Sequence, residues 1–464
     1  MSTLVMKFGG SLTADARRIA RVAQVILAET LAWERMVVVA SAMGGVTDDL
    51  NRAVELAAAR NAAGYRRVIA DVRNRHIEVI ETLFSSEASR CDLVAHVDRL
   101  LFDVLNICDA VLARREALPR DRDLVMAAGE RMMIYILAAL VRQEGLRAAA
   151  VDATSLIITD DRYQNANPLM DLIDERVDTI LRPLLDEGIV PLVTGFIGAT
   201  RSGIVTTLGR GGSDFTTTIL AASLHAEEIW IWTHVDGVMS ADPALVPGAH
   251  VIPVLSYEDV GELSFFGAHV LHPRAVEPLL PHGIPLRVRN PFNLDHAGTL
   301  IQPETVESSI GPKMVTAVDG MYLSTSGQSI DLTEFLGQFR QIAGQLAMGP
   351  VIVMQSHRRT TLVFVVPTTA GPTAIATLTQ RLESGLGTDR WEISPVKVIA
   401  VMGSPAQIAL NDPVSGQAIR PLALAVGPGE RRLIAVAPQD AQSVVRQLHK
   451  LANQPLYGAG TRLG

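Results

Sequence analysis

Short runs of β-branched and aliphatic residues alternate with longer helix-like segments from the start of the chain to about Ile301. Leu4–Phe8 and Met36–Ala40 are apolar almost throughout, as expected of strands that are covered on both faces. Between them, apolar residues recur at the spacing of a helix with one buried face, at Ile19, Val22, Ala23, Ile26 and Leu27. Further strands are predicted at Val190–Val193, Ile229–Trp232 and Pro285–Arg289. This alternation predicts a mainly parallel α/β sheet.

A different pattern follows Thr299–Ile301. Helix and strand signals now come in the order β-α-β-β-α-β, which is typical of small ferredoxin-like modules. Leu433–Val436 and the apolar helix positions after Ala441 predict part of a second such module. We therefore predict an α/β domain over residues 1–302 and a region of two small modules over residues 313–464, divided near residues 390–400.

Composition excludes several classes of function. The 464-residue chain carries a net charge of -8 with no basic stretch, which argues against nucleic acid as a partner. No apolar run approaches the roughly 18 to 20 residues that a membrane helix needs, and the first residues do not resemble a secretory signal. The two cysteines, Cys91 and Cys108, lie in one helix-like segment, which favours a reduced compartment. We expect a cytoplasmic protein without membrane contact.

The first segment that carries chemistry is Lys7–Ser11, at the end of the first predicted strand. Gly9 and Gly10 would let the backbone approach a ligand closely, and the amides that follow can donate to phosphate oxygens. Lys7 adds a mobile positive charge. The alternative is an ordinary turn beside an exposed lysine.

The second segment is Thr207–Asp214, which leads directly into an apolar helix. Its glycines, the free amides of the helix and the Arg210 guanidinium would form a cradle for an anion. Ser213 or Asp214 is placed to cap the helix. An arginine and an aspartate inside one turn are not easily explained by turn formation alone.

The third segment, Ser41–Thr47, is again a strand followed by a turn of small residues and a helix. Taken alone it predicts only a simple loop. Ligands of parallel sheets bind where strands end and helices begin, so the three turns are expected at one crevice.

Other phosphate and metal motifs do not occur in the sequence. It contains neither a Walker-type G-x-x-x-x-G-K-[ST] nor a protein-kinase H-R-D set, and its histidines show no cluster at metal-ligand spacing. From composition and spacing, we predict an α/β enzyme that binds an anionic ligand, with a nucleotide as one candidate and no protein-held metal.

At these residues the sequence resembles the aspartate kinase family. Lys7–Ser11 is similar to the family's opening motif K-F-G-G-T-S, and Thr206–Asp214 is similar to its T-T-L-G-R-G-G-S-D. Ala128–Arg131, Gly195–Gly198 and Leu271–Ala275 also match, and the likeness runs in order from residue 4 to residue 301.

The resemblance implies a three-layer α/β/α amino-acid kinase fold followed by ferredoxin-like (ACT) modules. It also implies ATP-dependent phosphorylation of the side-chain carboxylate of L-aspartate to 4-phospho-L-aspartate, the first step towards lysine, threonine and methionine. Mg²⁺ would assist, the ACT-like modules would bind an amino-acid feedback effector, and the protein would be a homo-oligomer.

The resemblance also implies residue roles. Lys7 and Asp214 would be catalytic, with Asp214 positioning Lys7. Aspartate would be bound by Thr47, Glu130, Arg210 and Ser213. The nucleotide would be bound by Lys7, Gly9, Gly10, Ser11, Gly211, Gly212, Thr233, His234, Met239, Ala244 and His269.

The last of these residues depart from the family together. His234, Met239, Ala244 and His269 stand where the family has W-T-D, a tyrosine or similar residue, D-P-R and A-K-V-L-H-P. An unperturbed imidazole, with a pKa of about 6.5, is mostly neutral at pH 7, so His269 gives up the positive charge of a lysine. Ala244 gives up that of an arginine.

Three interpretations follow. The first is an active aspartate kinase with an altered nucleotide pocket. The second is a catalytically weak paralogue that binds an amino acid and regulates a partner subunit. The third is a kinase for another small amino acid or another phosphate donor, which the retained aspartate-side residues disfavour.

Overall fold

The computed structural model describes residues 2–266, 271–303, 314–326, 331–344, 346, 350–356, 359–366, 373–386, 391–402, 421–426 and 432–452. The chain forms two compact units. The first comprises Met1–Val238, Pro253–Gly261 and Leu271–Thr305, and the second comprises Met239–Ile252, Glu262–Val270 and Val306–Gly464. The domain bounds 1–302 and 313–464 remain a prediction. Two segments that precede residue 302 lie in the second unit.

The first unit is built on an eight-stranded sheet and a three-stranded sheet. Its strands are β1 (Thr3–Phe8), β2 (Arg35–Ala40), β3 (Ala148–Val151), β4 (Ile158–Thr159), β5 (Val190–Thr194), β6 (Ile197–Thr200), β7 (Val205–Thr207), β8 (Glu228–Trp232), β9 (Val254–Ser256), β10 (Leu286–Arg289) and β11 (Thr299–Gln302). The large sheet has the order β3-β5-β2-β1-β8-β10-β11-β9, and the small sheet has the order β4-β6-β7. All pairs in the large sheet are parallel except β10 with β11, which confirms the predicted mainly parallel sheet.

The helices of this unit lie between the strands in sequence. They are α1 (Ala16–Glu29), α2 (Val46–Ala58), α3 (Ala62–Leu83), α4 (Glu87–Arg114), α5 (Pro119–Gln143), α6 (Met170–Arg176), α7 (Arg182–Asp186), α8 (Gly212–Leu224) and α10 (Pro273–Val276). A π turn, Val177–Leu181, joins α6 to α7. Helix α9 (Tyr257–Phe265) crosses the division between the units at Gly261.

Strand β1 shows why the sheet is covered on both sides. Leu4 and Met6 on one face pack in a core with residues of α1 to α5. Val5 lies on the other face, is also fully buried, and α8 packs there against the strand. A central strand with two covered faces is apolar throughout, as the sequence indicated. The first unit is therefore a three-layer α/β/α structure.

The second unit contains one six-stranded antiparallel sheet. Its described elements are β12 (Met314–Ser326), α11 (Leu332–Ala343), β13 (Pro350–Ser356), β14 (Arg359–Val365), α12 (Ala374–Leu386), β15 (Trp391–Met402), β16 (Ala423–Val426), β17 (Arg432–Val436) and α13 (Ala441–Ala452). The sheet has the order β13-β14-β12-β15-β17-β16. The run from β12 to β15 confirms the predicted β-α-β-β-α-β order. Helices α11 and α12 cover part of the sheet through a core that includes Phe335, Phe339 and Leu378.

The segment Met239–Ile252 packs within the second unit. Ala241 and Val246 join a core with β15, β17 and α13. The hydroxyl of Ser240, a buried residue, lies 2.9 Å from Nε2 of His449 on α13, and the Ser240 carbonyl accepts from Val315 at 2.9 Å. Long-range packing of this kind leaves no periodic signal in a short loop.

Helix α5 is long and apolar enough to cross a membrane by length and composition alone. In the folded chain, however, 72% of the most apolar 18-residue stretch of this helix is buried inside the protein, as in the core helix of a globular domain. Among the described residues no other helix meets those criteria.

Candidate active site

A cavity of 680 Å³ lies where β1, β2 and β7 give way to the turns and helices that follow them. It gathers nine of the residues that the sequence analysis singled out. These are Lys7, Gly10, Thr47, Glu130, Arg210, Gly211, Gly212, Ser213 and Asp214. The structure therefore brings the three small-residue turns to one crevice. Two of them follow the parallel strands β1 and β2, whereas the third follows β7, which pairs antiparallel with β6.

An ion pair joins two of these turns. Nζ of Lys7, near the end of β1, lies 2.6 Å from Oδ1 of Asp214 in the first turn of α8. Both side chains are largely buried, at 12% and 16% exposure. Gly9 adjoins the pair, since a Cβ at that position would lie 3.3 Å from Lys7 Nζ. The pair fixes a cation in the cavity, where screening by water is reduced.

The glycine turn places the start of α8 differently from the sequence-based expectation. The residue that caps α8 is Gly211, in the left-handed conformation with φ +67°, and the helix begins at Gly212. Ser213 and Asp214 therefore lie in the first turn. Their side chains are committed elsewhere, Ser213 to the Ser41 hydroxyl at 2.9 Å and Asp214 to Lys7. A side chain at position 211 would also collide with His272, 2.6 Å away.

This arrangement fits a phosphoryl group. Helix α8 has 13 residues, and its N-cap, Gly211, has no side chain that could bond the first amides. Free amides at a helix N-terminus, the positive end of the helix dipole and the Lys7 ammonium all favour a bound anion. Among the described residues, no group of three His, Cys, Asp or Glu side chains is arranged to hold a metal ion.

The turn after β2 forms the opposite side of the cavity. Gly44 packs so closely on the β1 turn that a Cβ there would lie 2.8 Å from the Gly10 carbonyl oxygen. Gly45 caps α2, which puts Thr47 in the first turn of that helix, half-buried at the cavity. The buried Thr13 hydroxyl bonds the Ala42 carbonyl at 2.9 Å and so holds the two turns together.

Glu130 on α5 is buried in the cavity wall, with 2% of its surface exposed. Oε1 accepts a hydrogen bond from the Ala42 amide at 3.3 Å, and Oε2 has no hydrogen-bond partner among the residues that the structure describes. Burial raises the pKa of this carboxyl to about 8. A buried carboxyl oxygen without a partner suits a ligand that brings a positive charge, such as an ammonium group.

The raised pKa of Glu130 predicts a pH-dependent stability. The folded protein holds this proton more tightly than the unfolded chain, so stability should fall as pH rises from about 4.5 to about 8. The amide introduced by Glu130→Gln cannot ionise, so the variant does not lose this stability as the pH rises. Urea unfolding should show the variant gaining on the wild type by on the order of 2–3 kcal/mol between pH 5 and pH 8. Glu144→Gln, an exposed position ending the same helix, is the control and should show no such gain. A parallel pH dependence of the Glu130 variant and the wild type would contradict the assignment.

Arg210 is exposed and lines the cavity from the glycine turn. Its charge reaches a neighbour, His272, whose pKa is lowered by burial and by Arg274 and Arg210. An accessible guanidinium opposite a buried carboxyl gives the cavity groups for both a carboxylate and an ammonium of one small ligand.

Lys7, Gly10, Gly211 and Gly212 line the cavity, but the other residues assigned to the nucleotide are not gathered in the same way. Ser11 is exposed, and its carbonyl accepts from Arg18. Thr233 and His234 follow β8, the first half-buried and the second exposed. Met239 and Ala244 belong to the second unit, where Ala244 is exposed. His269 lies outside the described residues.

Several residues that line the cavity were given no role from the sequence, Phe196 and Arg122 among them. Phe196, which follows β5, has a left-handed backbone with φ +69°, and its amide donates to the Thr216 hydroxyl at 3.0 Å. Such strain in a non-glycine residue tends to occur at functional sites, but it cannot be read from residue type. Arg122 also lines the cavity and donates to Asn51 at 2.7 Å.

Known proteins share this sequence pattern. The model of the amino acid kinase family matches residues 2–290. Aspartokinase 1, chloroplastic, of Arabidopsis thaliana is 34% identical over 307 residues, which cover 64% of this chain and 52% of that protein. Aspartokinase 3, chloroplastic, of the same plant is 34% identical over 351 residues, covering 74% and 59%. The chain thus spans between about half and three-fifths of the length of these relatives.

Solved structures share the fold along nearly the whole chain. E. coli aspartokinase III in complex with lysine and aspartate (T-state) superposes with a TM-score of 0.80 at 26% identity, covering 97% of this chain and 100% of that one. The same enzyme in complex with aspartate and ADP (R-state) gives 0.77 at 25% identity, covering 98% and 100%. The match to the family model extends over more than half of the residues, and the chain belongs to the amino acid kinase family.

Proposed function

We propose that this protein is an aspartate kinase, which transfers the γ-phosphoryl group of ATP to the side-chain carboxylate of L-aspartate. The observation that carries the proposal is the Lys7–Asp214 pair, 2.6 Å apart in a cavity that also holds Arg210, Ser213 and Glu130. The relatives named aspartokinase support the same activity.

The proposed binding of L-aspartate follows from the charged side chains that line the cavity. Arg210 binds one carboxylate of aspartate through both oxygens, and Glu130 in its ionised form receives the ammonium group. Binding of that cation favours the ionised state of Glu130, whose pKa is raised to about 8 in the free protein. Ser213 and Thr47 are within the same cavity and complete the polar contacts.

The reaction needs little proton transfer. The attacking carboxylate of aspartate is already ionised at pH 7, so a strong general base is not required. The work of the protein is alignment and charge neutralisation. Lys7 neutralises negative charge near the β1 turn, Asp214 orients Lys7, and the first amides of α8 donate to phosphoryl oxygens.

ATP supplies the phosphoryl group, and Mg²⁺ is the cation we propose to accompany it. Mg²⁺ in such enzymes is bound largely by the phosphates of the nucleotide and by water. Residues Gly9, Gly10, Gly211 and Gly212 are those we assign to the phosphate end of the nucleotide.

The second unit is the proposed regulatory region. Its β-α-β-β-α-β order is that of small ferredoxin-like modules, and the E. coli enzyme of similar fold was solved with lysine. We propose that an amino acid acts there as feedback effector and that the protein is a cytoplasmic homo-oligomer.

Trapping of the acyl phosphate as a hydroxamate tests the proposed function. Purified protein incubated with ATP, Mg²⁺, L-aspartate and hydroxylamine should form aspartyl hydroxamate, and product should be absent without L-aspartate. Product that appears equally well with L-glutamate would contradict the assignment of the acceptor.

A second candidate is the catalytically weak paralogue that regulates a partner subunit. It is favoured by His234, Met239, Ala244 and His269, which replace residues typical of the family. Retention of Lys7, Arg210 and Asp214 in one cavity favours the enzyme. Calorimetric binding of L-aspartate without any hydroxamate product would select the second candidate.

The nucleotide side gives a prediction of its own. His269 stands where the family has a lysine. An ordinary imidazole, with a pKa of about 6.5, is mostly charged at pH 6 and neutral at pH 8, so ATP should bind more tightly at pH 6. The double variant His269→Lys with Ala244→Arg should tighten ATP binding at pH 8 by roughly 10-fold or more and remove the pH dependence. Calorimetry at the two pH values measures both effects. His225→Lys, which adds a charge at an exposed histidine ending α8, is the control. Equal affinity at both pH values in the wild type, unchanged in the double variant, would remove these residues from the nucleotide site.

A further inference from the structure

Asp123 is a fully buried carboxylate on α5 that the proposed mechanism does not use. Its oxygens accept three hydrogen bonds from outside the helix. Oδ2 accepts from the amides of Gln164 at 2.9 Å and Thr207 at 3.0 Å, and Oδ1 accepts from the Thr207 hydroxyl at 2.8 Å. The partners lie on two other segments, the loop after β4 and the last residue of β7.

The placement of these partners concerns the cavity directly. Thr207 is followed by Leu208, Gly209 and Arg210, so its position sets where the glycine turn begins. Gln164 and Thr207 both line the cavity. Asp123 and Glu130 are seven residues apart, two helical turns, and therefore share one face of α5. Helix α5 thus carries both Glu130, the buried carboxyl proposed to bind the ammonium group of aspartate, and Asp123, which accepts hydrogen bonds from the strand end that leads into the glycine turn.

Arg274 connects the same two segments that donate hydrogen bonds to Asp123. Arg274 donates to the Leu208 carbonyl at 3.1 Å and to the Ala166 carbonyl at 2.9 Å. Its guanidinium also lies 4.8 Å from the centre of the Phe215 ring on α8. Arg274 therefore links the loop after β4 to the glycine turn, and the hydrogen bonds to Asp123 link both segments to α5.

We propose that Asp123 is the positioning residue of the acceptor site, because it fixes Arg210 and Ser213 relative to Glu130. An aspartate suits this role, since all three partners are donors and a carboxylate has only acceptors to offer. Asparagine has nearly the same shape and can keep these contacts, since its oxygen can accept from both amides and its NH₂ group can donate to the Thr207 hydroxyl; alanine offers no acceptor. Burial raises the pKa of Asp123 to about 6, while the three hydrogen bonds oppose that rise. This inference rests on the proposed function for its kinetic test.

The kinetic test uses Asp123→Ala. We expect KM for L-aspartate to rise by roughly 10-fold or more, since small displacements of a binding group are costly, while KM for ATP, whose phosphates we assign to Gly211 and Gly212 of the same turn, should rise by a smaller factor. Asp121→Ala is the matched control. Asp121 is another buried carboxylate of α5, but it accepts from Leu118 and Arg114 at the start of the helix, so its loss should lower stability and leave KM unchanged. Equal changes of both KM values in the Asp123 variant would overturn the proposal.

A second pair of variants covers the case in which Asp123→Ala does not fold. Thr207→Val removes one of the three hydrogen bonds, and Thr207→Ser keeps the hydroxyl. KM for L-aspartate should rise more in the valine variant than in the serine variant. The opposite order, or no change in either, would contradict the proposal.

Hydrogen exchange separates this proposal from the proposed function. In Asp123→Ala, which removes the acceptor of both bonds, the amides of Thr207 and Gln164 should exchange roughly 10-fold faster or more than in the wild type, whether or not the protein turns over aspartate. Unchanged exchange of both amides would overturn the positioning role. An inactive wild type with faster exchange in the variant would contradict only the kinase assignment.

Discussion

Replacing Lys7 or Asp214 by alanine should lower turnover by roughly 10²-fold or more while the fold stays intact. Lys7 is the cation that neutralises charge on the transferred group, and Asp214 holds it at 2.6 Å. In Asp214→Ala the lysine keeps its charge but loses its orientation. In Lys7→Ala the partly buried Asp214 carboxylate stays in the site without its cation, so a negative charge opposes the phosphoryl group. Steady-state kinetics and circular dichroism measure the two claims.

Arg287→Ala is the matched control for this experiment. Arg287 and Glu228 form another partly buried ion pair, 2.8 Å apart, between β10 and β8 of the same sheet. Neither residue lines the cavity. Loss of that pair should change stability and leave turnover near the wild-type value. Because Lys7 and Asp214 act as a unit, the double variant should be little worse than either single variant. Near-normal turnover in both single variants would remove the proposed site.

Arg210→Lys should raise KM for L-aspartate by roughly 10-fold or more, with a smaller effect on kcat. Lysine keeps the positive charge but cannot form two parallel hydrogen bonds with a carboxylate. Arg210 is exposed at the glycine turn, so the substitution leaves no buried cavity and the fold should be unaffected.

The control for Arg210 is Arg201→Lys. Arg201 is an exposed arginine in the turn between β6 and β7, the strand that leads to the glycine turn. Its substitution should leave KM for aspartate unchanged. If Arg210→Lys also left KM unchanged, Arg210 would serve the turn and not the substrate.

Much of the fold was predictable because its signals are local. The types of a few consecutive residues are enough to predict that strands β1 and β2 and one face of helix α1 are buried. The β-α-β-β-α-β order of the second unit was readable for the same reason. The cap of α8 was placed wrongly, since Ser213 and Asp214 bond to Ser41 and Lys7, which are far away in sequence. Of these two contacts, only that of Asp214 with Lys7 was implied, and by the family resemblance.

The site was predictable where glycine and charge occur together in short turns, and less so elsewhere. Asp123 stands in an apolar helix and looks like an ordinary polar position, although its spacing of seven from Glu130 placed both on one face. Only the fold shows that Thr207 and Gln164 donate to it. The same holds for the segment of Ala241 and Val246, whose packing in the second unit is a long-range contact.

ADP release by the purified wild-type protein tests the proposed kinase activity. It is followed in a coupled assay with saturating ATP and Mg²⁺ and one acceptor at a time. We expect a rate that depends on L-aspartate, saturates with it, and falls to the level without acceptor when L-glutamate is supplied or when Asp214 is replaced by alanine. ADP release that is the same with and without L-aspartate, or that survives Asp214→Ala, would contradict the proposal.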